Sequence, residues 1–104
     1  MNKRHVVSLA VRNGEFDYGG KECVMVEPGD TVIWKSDARG HLAIQFGFET
    51  PFESRGFKSK EGKPITATVV SRSPGVYKYT AVIYDGEELW LDDPVIIIRP
   101  PKTG

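Results

Sequence analysis

A chain of 104 residues fits one domain, with a core that buries roughly 65% of the surface its unfolded form exposes, and no second domain is implied. Its 14 Lys and Arg balance 14 Asp and Glu with the two histidines neutral, so no broad field draws it to nucleic acid, an anionic membrane surface or an acidic substrate. Cys23 is alone, which excludes an intramolecular disulfide, and no apolar run approaches the ~20 residues that span a bilayer.

Short segments rich in β-branched and aromatic residues, punctuated by Gly, Pro and Asn-Gly and lacking a helical period, predict an all-β chain. The start, "MNKRHVVSLAV", has a short interrupted apolar run and no small-residue cleavage site. It does not resemble a secretory signal, and a cytoplasmic location is expected, periplasmic if a leader has been removed. Residues 5–11 read as the first strand, followed by Asn13-Gly14, a pair suited to the positive angles of a tight turn. Residues 22–26 form a second strand closed by "EPGD", where proline presets one turn angle and glycine accepts the other. In residues 31–35, alternation places Val32 and Trp34 on one face; residues 41–46 follow after the loop "SDARG".

Residues 47–63 carry Phe48, Phe52 and Phe57 without a regular period, and no element is assigned to them. Within this stretch "ESRGFKSKEGK" mixes both charge signs and reads as a solvated loop. Residues 65–70, 75–84 and 95–99 complete about seven strands, and the tail from about residue 100 is expected to fray. The spacing and short connections predict a two-sheet Greek-key β-sandwich over residues 1–104.

"VEPGDTVIW", then His41 after a short loop, then "TATVVSRSPGVYKYTA", resembles the cupredoxins, the blue-copper β-sandwiches, over most of the chain from about residue 22 to 99. Electron-carrying cupredoxins hold copper with two histidines, a cysteine and a weak axial methionine. Carried over position by position, the resemblance places the first histidine on His41, the cysteine on Ala81, the second histidine near Tyr84 and the methionine near Leu89. Residues 82–104 contain no His, Cys or Met in any register, and the only methionines are Met1 and Met25. Without a thiolate the blue site is lost, so electron transfer through a family-type centre is rejected and no cofactor is expected.

The other chemistry-bearing residues give no constellation. His41 is a metal candidate with His5 or Cys23 as distant helpers, but a useful site needs three or more convergent ligands. Cys23 has only Lys21 beside it to activate it, and the serines lack a nucleophile-elbow context. The acids of "DGEE" and "DD" show no calcium-loop spacing. Catalysis is therefore not expected.

The segment "YDGEELWLDDP" occupies the stretch that surrounds the metal in the relatives the chain resembles. Leu89 or Leu91 is expected to plug the vacant pocket while Trp90 packs on the sandwich. As a functional alternative, Phe46, Phe48, Phe52, Tyr84 and Trp90 form an exposed aromatic patch rimmed by charge, a surface for a protein partner. The sequence thus reads as a copper-free, non-catalytic cupredoxin-like interaction module, with an edge-strand homodimer as one form of partner. The alternative is a metal-handling protein with a non-blue site centred on His41.

Overall fold

Asn13 and Gly14 adopt φ values of 54° and 79°, the paired left-handed angles of a type I′ hairpin turn, and fold the first strand back on a short partner. Gly29, at φ 91°, makes the second reversal after Pro28. The structure, a computed structural model, describes residues 2–36, 41–59, 63–84 and 87–100. Ten strands lie among them: β1 (Arg4–Arg12), β2 (Glu15–Asp17), β3 (Cys23–Val26), β4 (Thr31–Ser36), β5 (His41–Phe46), β6 (Gly56–Ser59), β7 (Ile65–Thr68), β8 (Gly75–Tyr84), β9 (Leu89–Asp92) and β10 (Val95–Ile98).

The expected strands are all present, and three short ones are added: β2 after the Asn-Gly turn, β6 inside the unassigned stretch, and β9 in the acidic segment. The "ESRGFKSKEGK" segment is thus a strand over Gly56–Ser59 rather than loop throughout. Residues 37–40, in the "SDARG" loop, and the tail 101–104 lie outside the described residues.

Two sheets result. One has the order β2-β1-β4-β7; the other runs β3-β10-β8-β5-β6, with β9 also paired to β8. β1 lies parallel to β4 and β3 parallel to β10, while the remaining pairs are antiparallel. Non-sequential pairings of this kind give the Greek-key character of the sandwich.

Period-two alternation decides what each strand contributes to the core. Val7, Leu9, Val32, Trp34, Ile65 and Ala67 face inward from the first sheet. Leu42, Ile44, Phe46, Tyr77, Tyr79, Ala81, Ile83, Ile96 and Ile98 meet them from the second. At the centre, the Trp34 Nε1–H donates to the Tyr79 hydroxyl at 3.0 Å, joining the two sheets through a polar bond inside an apolar core. Phe52 and Tyr79 pack edge-on against the Trp34 ring at 5.4 and 5.6 Å, contacts worth about 0.5–1.5 kcal/mol each beyond area burial.

Asp30, in the "EPGD" turn, is the buried charged residue of the described core, with 2% of its surface exposed. Its carboxylate accepts from the Lys3 backbone N–H (2.9 Å), the Glu27 backbone N–H (3.0 Å) and His5 Nε2 (2.8 Å). Burial alone would raise its pKa, but these donors outweigh burial and hold it below the usual carboxylate value. The turn is thereby fastened to the start of β1, and His5 has a structural task.

Candidate functional site

β8 is longer than its neighbours. Gly75–Lys78 pair with β10, and Ala81–Tyr84 continue beyond it to pair with β9, forming a hairpin that extends the second sheet. Between β9 and β10 the chain steps past Pro94, whose carbonyl accepts the Tyr79 N–H at 3.1 Å, while the Thr80 hydroxyl donates to Asp93 at 3.0 Å.

The register creates four cross-strand rows over β5, β8 and β9. Leu42, Ile83 and Trp90 form one row and Ile44, Ala81 and Asp92 another, both on the inner side. His41, Tyr84 and Leu89, then Ala43, Val82 and Leu91, form the two rows on the outer side. Residues directly opposite on antiparallel strands share a face, so every side chain is assigned by its partner.

The inner rows are filled with hydrocarbon. Leu42, Ile44, Ala81 and Ile83 are fully buried, and half-buried Trp90 packs on the core. Ala81, the position matched to the copper-binding cysteine, has no exposed surface. The positions matched to the other three ligands, His41, Tyr84 and Leu89, stand in one row on the opposite face of the sheet. The His41 ring lies against the Tyr84 ring, centroids 6.3 Å apart and 21° from parallel, on the exposed side.

This arrangement does not fit a cupredoxin copper ion. Three of the four donors are replaced, and the imidazole faces away from the position of Ala81. His5 is engaged with Asp30 at the start of β1, and Cys23 is in register with Val95 and hence Lys78. Lys78 lies six residues along β8 from Tyr84, about 20 Å at about 3.3 Å per residue. Among the described residues no three His, Cys, Asp or Glu side chains converge as a metal site.

Two sequence expectations require correction. Leu89 and Leu91 do not plug the pocket: they are 55% and 60% exposed, because their partners Tyr84 and Val82 occupy outward positions of β8. Ile83, Leu42 and Trp90 fill that end instead. Nor do the five aromatics form a patch. Phe46 is an inward residue of β5, and Phe52 bridges to Val69 and packs on Trp34 and Phe46, leaving both buried. Phe48 is 96% exposed, but it lies beyond Phe46, whose partner Tyr79 is five residues along β8 from Tyr84. Trp90 turns to the inner side while Tyr84 turns out.

What the hairpin does expose is one tyrosine and two leucines. Tyr84, Leu89 and Leu91, with half-buried Val82 and Ala43 between the strands, give the outer face a continuous apolar surface. Alternation in "AVIYDGEELWLDD" carries the signal for this surface once β9 is recognised as a strand.

Beside the hairpin, the chain after β2 brings Tyr18 into the core, where its hydroxyl donates to Asp92 at 2.6 Å. Burial first, and then the adjacent carboxylate, push the Tyr18 pKa far above its ordinary value. This bond ties the β2 side of the first sheet to β9 of the second. Nothing in the sequence pairs residues 74 positions apart.

No family model and no curated protein matches the chain significantly. Solved structures do. A pseudoazurin from Sinorhizobium meliltoi is 20% identical, with 97% of this chain and 76% of that chain covered and a TM-score of 0.55. A purple cupredoxin from Nitrosopumilus maritimus is 17% identical, covering 88% and 98% at a TM-score of 0.52. An amicyanin variant in its reduced Cu(I) form is 15% identical, covering 90% and 82% at a TM-score of 0.52. The chain therefore has the cupredoxin fold, with no intact copper-ligand cluster among its described residues.

Proposed function

We propose that the protein is a non-catalytic, copper-free interaction module that docks a protein partner on the outer face of the β8–β9 hairpin. The observation that carries this reading is the pair of outward rows in which Tyr84, Leu89 and Leu91 stand exposed beside Val82 and Ala43. Single exposed leucines are ordinary, whereas contiguous apolar residues on a sheet face mark contact surfaces. Covering two half-exposed leucines contributes about 1 kcal/mol each from area alone.

The non-catalytic part of the reading draws on the perturbed titratable groups. Asp17 is held by the Gly19 N–H and Arg12, Tyr18 by Asp92, Asp30 by the β1 start, and Tyr79 by Trp34. Each of these groups is bonded within the fold, and burial, which raises the pKa of Tyr18 and Tyr79, accounts for the largest part of both tyrosine shifts. The exposed thiol of Cys23 suits a reducing compartment, in keeping with a cytoplasmic protein.

The test is cross-linked capture by the full chain, set beside a Leu89→Lys/Leu91→Lys variant. Both positions are solvent-facing, so the variant is expected to keep its melting temperature and to lose the partner. Retention of the same partner by the folded variant would refute docking on this face.

A further inference from the structure

Among the described residues β9 pairs only with β8 and β2 only with β1, so their outer edges belong to opposite sheets of the sandwich. Between them lies a groove of about 360 Å³ lined by Gly14, Glu15, Phe16, Trp90, Leu91 and Asp92. Phe16 and Trp90 are partly buried and pack on the core from either side, giving the groove two aromatic walls. The Tyr18–Asp92 hydrogen bond fixes the walls relative to each other at one end.

A strand paired on one side turns the N–H and C=O groups of alternate residues away from its neighbour. For β9 these groups point away from β8. An extended segment laid along that edge, at the usual strand spacing of about 4.8 Å, satisfies them and continues the sheet. Its alternate side chains then have two destinations. One set enters the groove between Phe16 and Trp90; the other lies over the outer face beside Leu89 and Leu91.

Charge selects the occupant. The ionisable side chains lining the groove are Asp92, which accepts from Tyr18, and Glu15, which stands opposite Arg12, itself bonded to Asp17. Asp93 follows Asp92, so the acids around this edge outnumber Arg12 beside them. A basic side chain entering there meets a carboxylate and an indole face, and arginine suits both through paired N–H donation and cation–π stacking. A second copy of the chain would bring the same acids and no basic side chain from the groove lining.

From these observations we propose that the free edge of β9 takes up an extended, basic peptide segment of the partner by strand addition, with an arginine or lysine lodged between Phe16 and Trp90. The inference rests on the interaction reading above and gives that partner its chemistry.

The test is to pan the full-length protein against a random dodecapeptide library and measure recovered peptides on the wild type, on Glu15→Lys and on Leu89→Lys/Leu91→Lys. Glu15 is exposed but stands opposite Arg12 in the β1–β2 pair, so the melting temperature of Glu15→Lys is measured beside that of Glu15→Gln, which removes the charge without opposing two cations. Expected are peptides alternating apolar with Arg or Lys, binding at least tenfold more weakly to Glu15→Lys and more weakly in 0.3 M salt than in 0.05 M. Their amide chemical-shift changes should centre on β9 and β2. Peptides that bind Glu15→Lys equally but lose affinity for the leucine variant would overturn strand addition while leaving the docking face standing. Acidic or unpatterned binders, no binders, or a concentration-dependent homodimer occupying β9 would also overturn it; indifference of partner capture to the leucine variant would remove the docking reading itself.

Discussion

Replacing Asp30 with asparagine tests the one buried carboxylate whose bonds can be counted. Its oxygens accept three hydrogen bonds, from Lys3 N–H, Glu27 N–H and His5. One oxygen accepts from Lys3 and the other from both Glu27 and His5, so an amide with its oxygen in the second place keeps two bonds in neutral form and turns its NH2 group against the Lys3 N–H, losing that bond. A hydrogen bond to a charged group is worth about 1.5–3 kcal/mol, which gives a loss of about that size and a melting temperature lowered by roughly 6–20 °C for a domain of this size. The assay is thermal unfolding followed by circular dichroism. Because the folded-state pKa lies below the unfolded value near 3.9, the stabilisation is present above about pH 5 and is lost as the pH falls through the folded-state value. The gap between wild type and Asp30→Asn therefore narrows as the pH is taken from 5 to 2. A gap under 3 °C at pH 7, or one that widens in acid, would refute the assignment of Asp30 as a charged fastening of β1 to the turn.

Titration of the protein with copper(II), followed by heat and visible absorbance, is expected to show no saturable site and no blue band, with His41→Ala behaving as the wild type. A tight one-to-one complex abolished by that substitution would make His41 the centre of a metal site. Tyr79→Phe leaves the Trp34 Nε1–H without its acceptor in the core, a cost of about 1–3 kcal/mol measurable in urea. In the wild type, burial raises the Tyr79 pKa to about 12. A raised folded-state value means that the stabilisation is complete below the unfolded pKa near 10 and is lost as pH rises through the folded-state value. Unfolding between about pH 10 and 12 should therefore accompany the absorbance of ionised tyrosine near 295 nm.

Much of the sandwich was legible because its signals are local. The Asn13-Gly14 turn, the Pro28-Gly29 turn and the alternation that buries Val32 with Trp34 each involve neighbouring residues. β6 was not legible: "GFKS" is half polar, and only pairing with β5 makes it a strand. The loss of the copper site was legible from composition alone, since no register supplies a thiol or imidazole after Ala81. Its replacement was not. Whether Leu89 or Trp90 faces inward depends on which residue of β8 each opposes, and a shift of one residue inverts the answer. For the same reason an aromatic-rich count around Phe46 and Phe52 suggested a surface, although inward alternation and the Val69 bridge make both residues core.

Filling the metal end with Leu42, Ala81 and Ile83 also frees the outer face from any role in ligand geometry. A copper centre needs its donors aimed inward at one point, whereas Tyr84 and Leu89 here project from the opposite side of the sheet. The resulting β9 has Trp90 packed inward beside Asp92 and turns Leu89 and Leu91 outward. Glu15, Asp92 and Asp93 place negative charge at that edge. Under the proposed strand addition, these acids make a basic strand the favoured neighbour. The residues that replace the copper donors in the interior and the exposed leucines thus lie on the two faces of one hairpin, separated only by the side-chain alternation of β8 and β9.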